Sequence, residues 1–229
     1  MTILKKRFIK LESVLNKRMC DLTVLIDNIN KPHNLSAIIR SCDAVGVLEA
    51  YAVNKNGNIN TFNSTAQGSQ KWVNINNFDK INDAIKILKE KNFKLFGTNL
   101  NNKSIDYRDC DFKGPTAFVM GAEKWGLEDS TLELLDQTVH IPMRGMVQSL
   151  NVSVATANLL FEALRQRHKA GILPSNGEGM SIEKYKKTLF EWAYPEIAFM
   201  YKQKNINYPE LDKNGEIIGN ISRAIKVKN

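Results

Sequence analysis

Residues 141–157 read IPMRGMVQSLNVSVATA, and the order of residue types in this stretch sets the fold class. It follows a run, Thr138–Ile141, that reads as a strand, and Pro142 ends that run because proline has no N–H to give to a ladder. Gly145 is expected to permit a tight or left-handed turn. Ser149 and Asn151 are helix-capping residue types. From Val152 to Phe161 the chain is apolar on nearly every side, which predicts a fully buried helix. A polar loop between a strand end and a buried helix is where α/β proteins hold ligands, although an ordinary capped connection has the same composition.

Upstream, strand and helix patterns alternate. Residues 2–19 form an amphipathic helix in this reading, with Ile3, Leu4, Phe8, Leu11, Val14 and Leu15 on one face. Leu22–Asn28 is a β-prone strand, and Lys31-Pro32-His33 turns the chain into a helix over Asn34–Val45. In that helix Leu35, Ile38, Ile39, Cys42 and Val45 form the inward stripe, with Ser36, Arg40 and Asp43 on the other side. Leu48–Val53, Trp72–Ile75, Phe93–Thr98 and Thr116–Met120 read as strands, and Phe78–Lys91 and Asp129–Gln137 as helices, the latter capped by Asp129. Asn54–Gln70 and Asn101–Gly114 read as loops. Such alternation predicts an α/β fold, with a mostly parallel sheet covered by helices on both faces.

Past Gly171 the character changes. Leu173–Gly179 has linker composition, Ile182–Trp192 and Pro195–Lys204 read as helices, and the remainder is polar. The expected organisation is therefore an N-terminal helical extension over 1–19, a main domain over 20–171, and a C-terminal arm over 172–229.

Composition narrows the class. The 229 residues are 43% hydrophobic and 24% charged, ordinary for a soluble globular protein. No run approaches the roughly 20 apolar residues of a membrane span, and the charged start lacks the apolar core of a signal peptide, so the cytoplasm is expected. Cys20, Cys42 and Cys110 match no metal spacing and read as reduced thiols. His33, His140 and His168 are equally scattered, and no metal is expected. The net charge of +8 favours a polyanion where it is clustered. Clusters fall at Lys5, Lys6, Arg7, Lys10, Lys17 and Arg18, at Arg165, Arg167, His168 and Lys169, and at Arg223, Lys226 and Lys228. No G-x-G-x-x-G follows the first strand, which disfavours a dinucleotide-type cofactor fold.

Three ordered motifs carry a resemblance. They are residues 34–46, NLSAIIRSCDAVG; residues 120–126, MGAEKWG; and the 141–157 stretch itself. Together they resemble the knotted, SPOUT-class RNA 2′-O-methyltransferases, in particular the tRNA guanosine-2′-O-methyltransferase family known as TrmH. The resemblance implies a C-terminal deep trefoil knot, a homodimer, and S-adenosylmethionine held by loops at Thr98-Asn99, Gly121–Gly126 and Ile141–Leu150. Within them Thr98, Asn99, Gly121, Gly126, Ile141, Met143, Gly145 and Leu150 are the expected cofactor contacts. It makes Arg40 the catalytic arginine, supported by Asn34, Glu123, Ser149 and Asn151, the last two having helix capping as their alternative. Lys6, Arg7, Arg18, His33, Arg165 and Arg167 are the expected RNA contacts. The implied reaction is methylation of a tRNA ribose at the D-loop guanosine. The alternatives are ribosomal RNA, the tRNA wobble nucleotide, or a non-catalytic RNA-binding relative.

Overall fold

The computed structural model describes residues 3–28, 31–54, 71–99, 103–121 and 126–219. All of the expected 54–70 loop after Asn54, Glu123 and the basic group at Arg223, Lys226 and Lys228 lie outside the described residues. In chain order the elements are α1 (Lys5–Leu15), β1 (Leu22–Asp27), α2 (Pro32–Val45), β2 (Glu49–Val53), β3 (Asn74–Phe78) and α3 (Ile81–Glu90). They continue as β4 (Lys94–Thr98), β5 (Ile105–Asp106), β6 (Thr116–Met120), α4 (Asp129–Leu132), β7 (Gln137–His140), α5 (Val152–Lys169), α6 (Ile182–Ala193) and α7 (Pro195–Gln203). They fall into two compact units, residues 19–173 and a second formed by 1–18 together with 174–229.

The larger unit is built on a seven-stranded sheet in the order β3-β2-β1-β6-β4-β7-β5. Every strand pairing is parallel. Parallel strands buried on both faces should carry apolar side chains on both faces, and they do. Leu22, Val24 and Ile26 of β1 join Phe118, Met120 and Phe96 in one core with α2 and α5. Leu25, Ala117, Val119 and Leu95 point the other way, into a core with Ala84, Ile85 and Leu88 of α3. On α2 the expected stripe, Leu35, Ile38, Ile39, Cys42 and Val45, is buried. That helix starts with a proline in its first turn and ends at Gly46 with φ 90°, the usual asymmetry of helix ends. β6 and β7 come late in the chain yet sit on either side of β4, which gathers three carboxyl strand ends at one edge.

Arg167 holds the end of α5 to this sheet. Only 2% exposed, it donates to the carbonyls of Phe112 (3.0 Å), Asp21 (3.1 Å) and Gly114 (2.7 Å) and to the Asp21 carboxylate (2.6 Å). Its neighbour Gln166 accepts from the Phe112 N–H at 2.8 Å and donates to the Cys110 carbonyl at 2.9 Å. Burial raises the Cys110 thiol to about 11, so it stays protonated at neutral pH. None of the three cysteines forms a disulfide.

In the smaller unit α1 packs on α6, and α6 on α7. Phe8, Leu11 and Leu15 are buried as the helical spacing requires, but Leu4 and Val14 are exposed. Asn16 ties α1 down, accepting from the Tyr185 hydroxyl at 2.8 Å and the Gly177 N–H at 2.9 Å.

Several expectations need correction. The helix at Asp129 ends after Leu132 and follows Glu128, not a side-chain cap from Asp129. It unwinds because Asp136 turns to β4, where its carboxylate accepts from the Leu95 N–H at 2.8 Å and its own N–H reaches the Leu95 carbonyl at 3.1 Å. The third strand covers Asn74–Phe78 rather than Trp72–Ile75, so Phe78 belongs to the sheet, stacked on Tyr51, and not to a helix. The stretch read as a loop at 101–114 contains β5 and a turn of 3₁₀ helix over Tyr107–Asp109.

Candidate active site

The carboxyl ends of β4, β6 and β7 and the connection into α5 enclose a cavity of about 500 Å³. Strand ends of an open α/β sheet are where the fold leaves room for a ligand. Thr98, Asn99, Gly126, Ile141, Met143, Ser149, Leu150 and Asn151 line it. These come from three separate loops, brought together because β7 pairs with β4 and places Val139 beside Thr98. The Asn99 N–H reaches the Val139 carbonyl at 3.1 Å and pins the first loop to the third.

Two glycines close the middle loop by contact. A Cβ on Gly121 would stand 2.3 Å from the carbonyl group of Gly126 and 2.6 Å from the Leu127 nitrogen, so no side chain fits. Gly126 has φ +68°, which only glycine adopts without strain. Gly145 differs. Its φ is not in the left-handed region and a Cβ there would meet nothing within 4 Å, which corrects the left-handed option, although the chain bends at this residue. Neither Gly121 nor Gly145 lines the cavity.

Asn151 caps α5. Its Oδ1 accepts from the Ser153 N–H at 2.9 Å and the Ser153 hydroxyl at 2.6 Å. Its Nδ2 donates to Oδ1 of Asn34 on α2 at 3.2 Å. Capping and cavity lining are thus one residue's two edges, not alternatives. Ser149 lines the cavity and caps nothing, since α5 begins after Asn151. Asn34 is only 2% exposed, and its Nδ2 finds no acceptor among the described residues. A buried donor without a partner costs about 1–3 kcal/mol.

Arg40 is exposed and stands six residues along α2 from Asn34, roughly 9 Å at the rise of an α-helix. It does not line the cavity of its own chain. His33 is exposed at the start of α2, and Lys6 and Arg7 are exposed on α1. Arg165 is exposed but held bidentate by Glu162 at 2.8 and 2.7 Å. That pairing raises the guanidinium and lowers the carboxylate pKa. Arg18 and Arg167 are corrections. Arg18 is buried with its guanidinium 5.2 Å from the Trp192 ring centroid, and Arg167 has the structural role described above, so neither offers its charge to RNA. Helix α5 is corrected too. Val154 is 47% and Phe161 50% exposed, so within one chain it is not fully buried.

Sequence reasoning missed Met120, Leu127, Val139, His140, Gln148, Val152 and Ala155 as lining, and these complete the cavity. Gln148 lies inside the deciding stretch, but a loop glutamine carries no chemistry that marks it. His140 sits opposite Asp106 of β5, whose carboxyl the Arg108 guanidinium and N–H hold down to about 2.

The cavity volume falls within the range of about 300–1,000 Å³ usual for small-molecule sites. Ile141, Met143, Leu150 and Leu127 offer an apolar bed, and the strand ends offer main-chain groups to read a base edge. The orphaned Asn34 donor adjoins them. These features fit S-adenosylmethionine.

The comparisons agree with the geometry. Residues 21–161 match the SpoU rRNA Methylase family, and 165–220 match the SpoU, rRNA methylase, C-terminal family. The chain is 51% identical, over 80% of its length and 93% of the relative's, to a tRNA (guanosine(18)-2′-O)-methyltransferase of Thermus thermophilus. The TrmH/SpoU tRNA modifying enzyme of Aquifex aeolicus superposes with a TM-score of 0.74 at 40% identity, covering 84% of this chain and 97% of that one. The SpoU methyltransferase AviRb of Streptomyces viridochromogenes, solved with AdoMet, superposes with a TM-score of 0.59 at 29% identity, covering 67% of this chain and 59% of that one. With its family model spanning the whole sheet and all three cavity-forming strand ends, this chain belongs to the SpoU methylase family.

Proposed function

We propose that the chain transfers a methyl group from S-adenosylmethionine to the 2′-oxygen of a tRNA ribose, at guanosine 18, in the cytoplasm. The observation that carries this is the joining of the loops after β4, β6 and β7, two of them motif stretches, into one cavity whose residues fit that cofactor. The tRNA substrate draws on the Thermus thermophilus relative, matched over 93% of its length. The bound cofactor supplies an electrophilic methyl carbon. The protein's work is to align the ribose oxygen opposite it at attack distance and to accommodate the hydroxyl proton. Arg40 is unsuited to act as a base, since a guanidinium has no acceptor lone pair to offer a proton. It binds the substrate phosphate or stabilises the developing alkoxide. Ser149, Asn151 and Asn34 hold the loop that faces it, with Glu123 assigned a supporting role by the family resemblance.

The working unit in this proposal is a homodimer with the trefoil knot of its class. Val154 and Phe161 leave an apolar face on α5 that a second copy would cover. Arg40, remote from its own cavity, then serves the cavity of the other copy. A two-fold axis makes both sites alike. Mixing Arg40→Ala subunits with Asn151→Ala subunits should restore one working site per heterodimer. An active monomer in sedimentation would remove the shared site.

Incubation with labelled S-adenosylmethionine and total RNA, followed by mapping of the modified nucleotide, tests the reaction. Label confined to ribosomal RNA would transfer the proposal to that substrate, and no label in any RNA would overturn it.

A further inference from the structure

The smaller unit contains a second cavity, of about 640 Å³, between α1, α6, the end of α7 and the tail over 205–212. Nothing in methyl transfer calls for it. Its wall includes Tyr208, whose ring stacks on Phe190 with centroids 4.7 Å apart and planes 17° apart. Phe190 is fully buried, whereas Tyr208 is half-buried and lines the cavity. The Tyr208 hydroxyl donates to Oε1 of Glu191 at 2.9 Å, and the Lys202 ammonium holds the same oxygen at 2.9 Å. The ring is therefore fixed at its edge and backed by a second ring.

The polar groups are sorted by position. Lys186 and Lys202 stand at the rim in ion pairs with Glu210 and Glu191, and Lys187 is exposed beside them. Glu12 and Glu183 line the part formed by α1 and the start of α6. Carboxylates accept from exocyclic amines of bases, an aromatic platform stacks any base, and lysines at a rim suit phosphates outside.

We propose that this cavity takes one unpaired nucleobase carrying an exocyclic amine, stacked on Tyr208, from the RNA the protein acts on. The inference rests on the RNA-acting reading above. The base continues the Phe190–Tyr208 stack, its amine meets Glu12 or Glu183, and its backbone passes the lysines. Uracil has no exocyclic amine and gains only the stacking.

The probes are single-stranded hexamers of adenylate and of uridylate, titrated against the full chain by calorimetry. The adenylate hexamer should bind several-fold more tightly. Tyr208→Leu should weaken adenylate binding by about 5- to 150-fold, the range of one base–aromatic stack. Tyr208→Phe should stay within about twofold, and Glu12→Met with Glu183→Met, which removes both acceptors, should cut the preference over uridylate to what stacking alone gives. Equal affinities for the two hexamers, or a folded Tyr208→Leu protein with unchanged affinity, would overturn the proposal. If that variant fails to fold, photocrosslinking of an azidoadenosine hexamer to the wild-type chain decides. Adducts on the cavity wall support the site, and adducts only elsewhere refute it. Methylation of tRNA, measured in parallel on the wild type, separates failure of this site from failure of the proposed reaction.

Discussion

At its C-terminal end α5 buries Arg167 with four oxygen acceptors, three carbonyls and one carboxylate. At its N-terminal end, where Asn151 meets Asn34, an equally buried Asn34 keeps an Nδ2 donor that no described residue accepts. The two residues have the same exposure, 2%, and opposite accounts of their hydrogen bonds. A buried polar group whose partners are all protein is a fastening. One left short costs about 1–3 kcal/mol and persists where something else completes it, and the short one stands beside the cavity. Sequence alone does not separate them: the basic cluster makes Arg167 an expected RNA contact, and only the family resemblance places Asn34 at the site.

The fastening should break hardest. Arg167→Met removes a donor from each of three carbonyls, while the half-exposed Asp21 carboxylate can return to water. We expect a loss of about 3–5 kcal/mol, read by urea denaturation, with RNA affinity per folded molecule unchanged. An Arg167→Met protein of normal stability that binds RNA weakly would return this arginine to the RNA-facing group.

The next effect lies on the site side of the comparison. Arg40→Ala should lower the rate of methyl transfer by about 10²–10³-fold or more, the scale of losing a preorganised charge at a developing oxyanion. S-adenosylhomocysteine affinity by calorimetry should hardly change, because Arg40 does not line the cavity. Near-normal turnover would remove Arg40 from the chemistry.

Asn151→Ala tests the shared residue. Loss of the cap to Ser153 should cost about 1 kcal/mol of stability. Loss of the bridge to Asn34 should also loosen the cavity wall and weaken S-adenosylhomocysteine. Asn151→Asp keeps the acceptor for Ser153 but gives up the amide donor. It should recover the stability and not the affinity. Recovery of both would reduce Asn151 to a cap.

Much of this is legible from sequence, and the failures have physical causes. Strands such as Leu22–Asp27 and Thr116–Met120 announce themselves because both faces are buried and the run is apolar. Edge strand β3, Asn-Ile-Asn-Asn-Phe, does not, because its ladder to β2 is made by backbone groups that composition does not record. The helix over Asp129–Leu132 reads as longer than it is because its pattern continues through Leu134 and Leu135, while Asp136 takes its hydrogen bonds from β4. At the site, glycines and capping types mark the loops. The burial of Arg18 and Arg167 is a tertiary fact, since a lysine-rich surface and a single buried guanidinium read alike in one dimension.

The smallest expected effect bears most directly on the orphaned donor. Asn34→Leu keeps roughly the volume and removes a buried amide that lacks an acceptor. Exposed Asn151 can turn its own Nδ2 to water. Without cofactor the substitution should therefore be neutral, or stabilising by up to about 1 kcal/mol, because deleting an unsatisfied polar group removes its desolvation cost. A destabilised variant would show the amide to be satisfied in the unliganded protein. With saturating S-adenosylhomocysteine the order should reverse: the wild type gains stability on binding by mass action, and the variant gains less if the ligand's ordering of the site engages Asn34. Paired melting curves with and without the ligand read both signs in one experiment. Equal ligand-induced shifts in the two proteins would make the unsatisfied amide a local strain with no part in the site.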